Sequence, residues 1–306
     1  MFTLAHLSDP HLGPVRVANF SELAGKRVLG FLNWHRRRRE FHLADVLAAL
    51  TADLKAQRPD HIAVTGDLVN ISLAGEFAPA RTWLETLGPP DQVTLIPGNH
   101  DAYVRATADH WQLHWDDYMR GDAAQDTRFP FVRRRGAVAL IGLSSAVPTG
   151  PFLATGHLGA KQLARLAELL PRLRDEGLFR IVLIHHPPVS KRRNRFKRLT
   201  DGRAFRALLA RHGAELVLHG HDHRHSVTWL DGPENPIPAV GVPSASATAG
   251  EEHDPAAYNL YNIDGQPGAW RCEAISRGFR PDSPSVVELT RRMLHGAAAA
   301  ASADAR

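Results

Sequence analysis

The sequence has only one cysteine, Cys272, in 306 residues. A single cysteine cannot form an intrachain disulfide, which favours a reducing compartment such as the cytoplasm. No apolar run approaches the roughly 18 residues that a membrane-spanning helix needs. The N-terminal segment also lacks the basic region and long apolar core of a secretory signal. We therefore expect a cytoplasmic protein that is soluble, or that is at most attached to the inner face of a membrane.

The chain otherwise has an ordinary globular composition with a basic excess. Hydrophobic residues make up 43% and charged residues 23%, and the formal net charge is +5. Basic residues are concentrated in three clusters: HRRRR at 35–39, RRR at 133–135 and KRRNRFKR at 191–198. These clusters favour a phosphate-rich ligand, with a solvated arginine-rich surface as the alternative. Aromatic residues are only 7% of the chain and form no regular stacking pattern, so nucleic acid is not the expected partner.

Short β-branched runs alternate with helical patterns over most of the chain. The expected strands are 2–8, 61–66, 92–96, 129–133, 137–143, 179–185 and 215–219. The expected helices are 40–57, 76–87, 102–120, 159–172 and 202–211. Beyond residue 225 the pattern changes to short strands separated by Pro and Gly turns. This order predicts an α/β fold in which two mixed β-sheets pack face to face with helices outside.

Five of the strands end in residues that can bind a metal ion. The segments are LAHLSDPH, HIAVTGD, VTLIPGNHD, RIVLIHHPP and AELVLHGHDH. In open α/β sheets, loops beyond the carboxyl ends of the strands converge on ligands. Carboxylate oxygens, imidazole nitrogens and an amide oxygen favour Mn, Fe or Zn over copper or an iron–sulfur cluster. The pattern therefore predicts a centre with two metal ions among Asp9, His11, Asp67, Asn99, His100, His185, His221 and His223.

The order of these motifs resembles the calcineurin-like metallophosphoesterase family. The matching segments are Asp9-Pro10-His11, Gly66-Asp67, Gly98-Asn99-His100-Asp101, His185 and Gly220-His221-Asp222-His223. The resemblance covers roughly residues 1–275, and every ligand position is present. It implies a four-layer sandwich. We expect a catalytic domain over 1–280 and a C-terminal tail over 281–306.

The resemblance also divides the ligands between the two metals. One ion would take Asp9, His11 and His223, the other Asn99, His185 and His221, and Asp67 would bridge them. Two cations about 3.5–4 Å apart can share a water, lower its pKa and hold it in line with a phosphorus atom. The expected nucleophile is therefore a metal-bridging hydroxide.

Three residues beside these ligands have separate predicted roles. The resemblance implies that His100 faces the substrate and not a metal, where it would stabilise the phosphoryl oxygens or protonate the leaving group. Asp101 is expected to orient the His100 ring. His186 is expected to line the pocket, since the pattern of an apolar strand, His, any residue and Pro favours His185 as the ligand.

Two segments stand apart from the alternating pattern. Residues 13–40 mix bulky apolar side chains with Lys and Arg directly after the first ligand pair. This insertion is predicted to be a lid over the site, an amphipathic element on anionic lipid, or a packing element of the core. In the tail, VVELTRRMLHG carries a helical apolar stripe, whereas 297–306 is expected to be disordered.

The most specific interpretation is a dinuclear phosphodiesterase acting on a small anionic diester. The Gly-Asn-His-Asp motif followed by HHPP is similar to the bacterial class III cyclic-nucleotide and glycerophosphodiester phosphodiesterase branch. The alternative is a membrane-surface pyrophosphohydrolase of a lipid-linked nucleotide such as a lipid A precursor, which would explain the basic insertion through peripheral contact with an anionic membrane. The natural substrate, the metals and the oligomeric state stay open.

Overall fold

The computed structural model describes residues 1–15, 17, 19–23, 25–35, 42–107, 110–123, 129–190, 195–250, 253–280 and 283–296. The α-helices within these ranges are α1 (Lys26–Asn33), α2 (Ala44–Ala56), α3 (Ala74–Leu87), α4 (His110–Trp115), α5 (Ala160–Asp175) and α6 (Gly202–His212). The first six strands are β1 (Phe2–Leu7), β2 (His61–Val64), β3 (Val93–Leu95), β4 (Phe131–Arg135), β5 (Val138–Gly142) and β6 (Phe179–Leu183). The remaining strands are β7 (Leu216–His219), β8 (Ser226–Leu230), β9 (Ile237–Gly241), β10 (Ala257–Asp264), β11 (Arg271–Arg280) and β12 (Ser283–His295).

The strands form two six-stranded mixed sheets. The first has the order β12-β11-β10-β1-β2-β3, and the second has the order β4-β5-β6-β7-β9-β8. In the first sheet β1, β2 and β3 are parallel, whereas β10, β11 and β12 join by antiparallel pairing. In the second, β5, β6, β7 and β9 are parallel, with antiparallel strands at both ends. The predicted α/β fold with two mixed sheets is confirmed.

The side chains of β6 show why the sheets stack with helices outside. Successive residues of a strand point to opposite faces of the sheet. Phe179, Ile181 and Leu183 belong to the buried cluster shared with the first sheet. Val182 and Ile184 belong instead to a second cluster, which includes apolar residues of α5 and α6. Both faces of the strand are therefore apolar, and each fully buried side chain of this size contributes about 1.5–3 kcal/mol.

The tail contains a strand where the sequence predicted a helix. The segment VVELTRRMLHG lies in β12, which pairs antiparallel with β11 from Arg280↔Ser283 to Cys272↔His295. The helix prediction was wrong because β11 offers backbone hydrogen-bond partners to this segment. The apolar stripe of the segment itself contains no information about that neighbouring strand. The predicted boundary at residue 280 falls between the two strands of this hairpin. Residues 297–306 lie outside the described residues.

The prediction of one continuous helix over 102–120 is also wrong. The segment is divided into a 3₁₀ turn at Arg105–Thr107, α4, and a 3₁₀ turn at Asp116–Met119. Aromatic residues set this path: Trp111 and Trp115 are buried, and Trp115 Nε1 donates to the Phe77 carbonyl at 3.1 Å. Packing of large side chains thus overrides the local helical pattern.

Candidate metal centre

The loops beyond the strands hold five of the predicted ligands in left-handed backbone conformations. The φ values are 53° for Asp9, 42° for His11, 56° for Asp67, 70° for His221 and 51° for His223. Such conformations are uncommon for residues other than glycine and cost on the order of 1–3 kcal/mol each. Their concentration at one edge shows that the surrounding fold enforces the direction of these side chains.

Motif glycines allow the loops to approach one another. A Cβ atom on Gly98 would collide with the carboxylate of Asp67, and one on Gly220 would collide with Ser8 and Asp9. Gly66 has a φ of +95°, and its Cβ position is filled by the backbone of Gly98. Larger residues at these positions would therefore push the ligand loops apart.

One group of donor atoms surrounds His185. Its Nε2 lies 3.1 Å from Asn99 Oδ1, 3.2 Å from His221 Nδ1 and 3.4 Å from Asp67 Oδ2. All four residues are less than a tenth exposed. Donor atoms of Asp67, His185 and His221 lie within 4.8 Å of one another, which is close enough for a shared metal ion.

A second group surrounds His11. Its Nε2 lies 3.3 Å from His223 Nε2 and 3.9 Å from both Asp9 Oδ1 and Asp67 Oδ2. His223 Nε2 is in turn 3.2 Å from Asp9 Oδ1. Asp67 therefore belongs to both groups, and the structure brings all seven predicted ligands together.

Backbone carbonyls hold the histidine rings by the nitrogen that faces away from the cluster. His185 Nδ1 is bonded to the Thr65 carbonyl at 2.7 Å, and His221 Nε2 to the Lys197 carbonyl at 2.9 Å. His11 Nδ1 lies 3.3 Å from the Val69 carbonyl. This arrangement is typical of metal-binding histidines, because the outer hydrogen bond fixes the tautomer and orients the ring.

The electrostatics of the cluster favour cations. Burial acts to raise the pKa of Asp9, but the charge and hydrogen bond of His223 hold it well below its usual range. Burial likewise opposes ionisation of Asp67, yet His185 and His100 lower its pKa. For His185, the cost of burial is outweighed by Asp67 and Asp9, which raise its pKa to about 10. The donor set and its negative potential thus fit divalent metal ions.

A family model named calcineurin-like phosphoesterase matches residues 2–225. The chain belongs to the calcineurin-like phosphoesterase family. This phosphoesterase is 26% identical over 229 residues to a probable cyclic nucleotide phosphodiesterase of Synechococcus sp., across 74% of the chain and 80% of that relative. It is 36% identical over 98 residues to the glycerophosphodiester phosphodiesterase GpdQ of Enterobacter lignolyticus, across 32% of the chain and 29% of that relative. The predicted class of phosphoric ester hydrolase is thereby confirmed.

Solved structures show the same architecture. A dimetal phosphatase from Danio rerio superposes with a TM-score of 0.63 at 11% identity, covering 96% of this phosphoesterase and 98% of that chain. The purple acid phosphatase PPD1 from yellow lupin seeds gives a TM-score of 0.59 at 10% identity, covering 90% of this phosphoesterase and 51% of that chain. At these identities the likeness shows the fold, which is that of the family.

His100 lies at the rim of the cluster. Its backbone N–H donates to Asp67 Oδ1 at 2.7 Å, and its Nδ1 is bonded to the Asn70 carbonyl. The ring stacks on Tyr103 at 5.5 Å between centroids and meets His11 edge-on at 4.9 Å. The His100 ring is therefore oriented by Asn70 and Tyr103.

The sequence predicted that Asp101 orients the His100 ring. In the structure, its carboxylate binds backbone N–H groups instead. Its two carboxylate oxygens accept four hydrogen bonds of 2.8–3.2 Å, from the backbone N–H groups of Asp67, Leu68, Val69 and Gly98. These bonds tie the loop after β2 to the loop after β3. Asp101 is therefore a buried anchor for the loops that carry Asp67 and Asn99.

Replacing Asp101 with alanine should destabilise the fold. Four buried donors would lose their acceptor, and each unsatisfied group costs roughly 1–3 kcal/mol, partly recovered by relaxation, so we expect a loss of about 3–5 kcal/mol in the free energy of unfolding. Denaturant unfolding would measure it, with Asp122→Ala as the control because that carboxylate is partly exposed. An unchanged midpoint combined with a reduced turnover would instead support a role through His100.

His186 lines the site without contributing a nitrogen to either group. Its Nδ1 is bonded to Ser145 Oγ at 2.7 Å, and its Nε2 is 3.2 Å from the Ala154 carbonyl. Burial, together with the neighbouring charge of His185, lowers the pKa of His186 to about 3. The His186 ring is therefore neutral near pH 7 and lines the pocket as an uncharged side chain.

The described part of the insertion packs beside His100. Arg27 of α1 donates to the Ile71 carbonyl at 3.1 Å and to Thr107 Oγ1 at 2.9 Å. Lys26 Nζ lies 4.2 Å from the centre of the Tyr103 ring. A small apolar cluster of Val15, Trp34, Ile71, Leu73 and Tyr103 completes the contact. The insertion thus packs against the loop that contains Asn70, whose carbonyl is bonded to the His100 ring.

The three basic clusters have different surroundings. Arg133 is buried and donates to several backbone carbonyls, including that of Val93 at 2.7 Å, so it serves the core. The described part of the third cluster, 195–198, borders the metal centre through the bond between Lys197 and His221. Residues 36–39 and 191–194 lie outside the described residues. Among the described residues, 195–198 is therefore the part of these clusters that borders the metal centre.

Proposed function

We propose that the chain is a dinuclear metal-dependent phosphodiesterase. The observation that carries this proposal is the position of Asp67 between two groups of donors. Its Oδ2 lies 3.4 Å from His185 Nε2 in one group and 3.9 Å from His11 Nε2 in the other. A carboxylate shared in this way is the arrangement that a bridged pair of metal ions requires.

Each donor group would hold one ion. Asp9, His11 and His223 would hold one, and Asn99, His185 and His221 would hold the other. Metal ions held there would lower the pKa of a bound water and offset the negative charge of the phosphoryl oxygens. His100, whose ring is fixed by Asn70 and Tyr103, would donate a hydrogen bond to the phosphoryl group or a proton to the leaving oxygen.

Support for a diester comes from the relatives. The Synechococcus protein is named a probable cyclic nucleotide phosphodiesterase, and the Enterobacter protein a glycerophosphodiester phosphodiesterase. Both names describe attack on a phosphorus atom with two ester bonds.

The test is a comparison of bis-p-nitrophenyl phosphate with p-nitrophenyl phosphate at fixed Mn²⁺. We expect kcat/KM for the diester to exceed that for the monoester by at least about tenfold, with about two metals bound per chain. A preference for the monoester would contradict the proposal. Cyclic nucleotides and glycerophosphodiesters would then be compared at the same metal content.

Lys26 gives this activity an expected pH dependence. Burial lowers its pKa to about 8, although the negative charge of Asp67 acts in the opposite direction. As pH rises through 8 the ammonium loses its proton and its attraction for an anionic diester. The ammonium charge is expected to contribute about 1 kcal/mol to binding of the diester, so its loss should increase KM roughly fivefold.

Two variants test this dependence on Lys26. Lys26→Met should remove the alkaline rise in KM, and Lys26→Arg should shift it to much higher pH, since a guanidinium stays charged. KM would be measured from pH 6.5 to 9.5 in all three proteins. If KM depends on pH identically in the wild type and Lys26→Met, Lys26 is excluded as the cause of the alkaline rise in KM.

A second candidate is hydrolysis of a lipid-linked nucleotide at an anionic membrane. The observation that favours it is apolar exposure around Lys26, whose Nζ donates to the Leu153 carbonyl at 2.9 Å. On α1, Val28 and Leu32 are 41% and 42% exposed, and Phe152 is 83% exposed. Basic residues beside these side chains would complement anionic headgroups. None of the described helices is long and apolar enough to cross a bilayer.

Vesicle sedimentation separates the two candidates. The lipid hypothesis predicts binding to vesicles containing phosphatidylglycerol but not to purely zwitterionic vesicles. It also predicts that Val28→Ser combined with Leu32→Ser reduces binding without changing hydrolysis of bis-p-nitrophenyl phosphate. If the wild type stays in the supernatant with both vesicle types, the second candidate is excluded.

A further inference from the structure

His42 lies against the metal centre, although no strand-end motif contains it. Its ring centroid is 4.7 Å from that of His11 and 5.8 Å from that of His223. The His11 and His223 centroids are themselves 5.2 Å apart. One ring nitrogen of each of these three histidines lies within 4.8 Å of the others. The three rings thus surround a common point.

The His42–His11 separation is that expected for ligands of one ion, and the His42–His223 separation is slightly longer than expected. A metal–nitrogen distance of about 2.1 Å puts an imidazole centroid roughly 3.2 Å from the metal, so two rings at 90–120° are about 4.5–5.6 Å apart. The His185 and His221 rings, in the other donor group, are separated by 5.1 Å. The separations of His42 from its two neighbours are therefore similar to that of a predicted ligand pair.

The His42 ring is held in the way that the other histidines are held. His42 Nδ1 lies 2.7 Å from Ser246 Oγ and 3.3 Å from Ser244 Oγ. Ser244 Oγ also donates to the carbonyl of the predicted ligand Asp9 at 2.6 Å. The hydroxyls fix the ring through one nitrogen, as carbonyls do for His185 and His221, so that Nε2 is directed to the metal.

A cavity that could admit a metal ion lies beside the His42 ring. A cavity of about 310 Å³ is lined by His11, His42 and Ser246, together with Leu12 and Trp83. His42 is only half-buried, in contrast to His185. An accessible approach is one of the features that a functional metal site needs.

We infer that His42 is an additional protein ligand of the metal ion at Asp9, His11 and His223, bound through Nε2. The site would then carry three imidazoles, whereas the other group carries two, and it would bind its ion more tightly. The inference rests on the metal centre of the proposed function and is independent of the substrate. Ser246 is the corresponding positioning residue.

Metal binding to metal-free protein tests this inference without any measurement of activity. Co²⁺ would be titrated against a chromophoric chelator, and the visible absorption of bound Co²⁺ would be recorded. We expect His42→Ala to weaken one of the two metal equivalents by about 10–100-fold and to change its spectrum, while the other equivalent is unaffected. Ser246→Ala should weaken the same equivalent less.

Four controls make the result decisive. His157→Ala removes a half-exposed histidine outside the cluster and should leave both affinities unchanged. His42→Gln serves if the alanine variant unfolds, and added imidazole should restore affinity in His42→Ala. His223→Ala should affect the same equivalent as His42→Ala.

Two failures are distinguishable. If the wild type binds two equivalents and both His42 variants retain the affinities and the spectrum, His42 is a packing residue and the inference is overturned. If the wild type binds fewer than two equivalents, the dinuclear function itself fails.

Discussion

Replacement of Asp67 by alanine should remove metal binding and turnover together. Asp67 is shared by both donor groups, and its Oδ1 also accepts the backbone N–H of His100 at 2.7 Å. The variant would lose the shared ligand and release the loop that carries Asn99 and His100. We expect kcat/KM to fall by at least about 10³-fold, with less than one metal bound per chain.

Asp67→Asn is the matched variant for this experiment. Its amide oxygen can accept the same bond from His100, but its charge is lost. We therefore expect near-normal stability, weakened metal binding and low activity. Metal analysis by mass spectrometry and steady-state kinetics on the same samples would measure both quantities. Full activity of Asp67→Ala would contradict the proposed metal centre.

Replacement of His100 by alanine should reduce turnover while leaving the metals in place. The ring nitrogens of His100 are absent from the ligand groups, and its ring is held by Asn70 and Tyr103. Loss of a positioned imidazole that donates a proton or a hydrogen bond typically costs about 10²–10⁴-fold. We therefore expect a fall of this size in kcat with unchanged metal content.

Diesters with different leaving groups would identify what His100 does. If it protonates the leaving oxygen, the loss should be much larger for an alkoxide than for p-nitrophenolate, which needs no proton. If it stabilises the other phosphoryl oxygens, the loss should be similar for both. Unchanged kcat for every diester, or loss of a metal equivalent, would contradict its assignment to the substrate.

The convergence of the candidate ligands was predictable because the signal is local. Each candidate lies within a few residues of the end of an apolar strand, and parallel strands present those ends at one edge. Asp9, Asp67 and His185 thus converge although they are far apart in the sequence. The burial of every residue of β6 is equally local, since the strand carries apolar side chains on both faces.

The features that were missed depend on distant partners. Asp101 resembles a catalytic neighbour of His100 in the sequence, but its four donors come from two separate loops. His42 is 31 residues beyond His11 in the sequence, and it is held beside His11 by distant partners that include Ala247 and Ser246. The β12 strand depends on β11, which offers it backbone partners. No local pattern contains these contacts.

Anomalous X-ray diffraction from crystals of the metal-loaded protein would test the central claim most directly. Data collected on both sides of the Mn, Fe and Zn absorption edges would locate and identify each ion. A dinuclear centre predicts two anomalous peaks about 3.5–4 Å apart, one beside His11 and His223, the other beside His185 and His221, with Asp67 between them. A single peak at full occupancy, or peaks away from these residues, would contradict it.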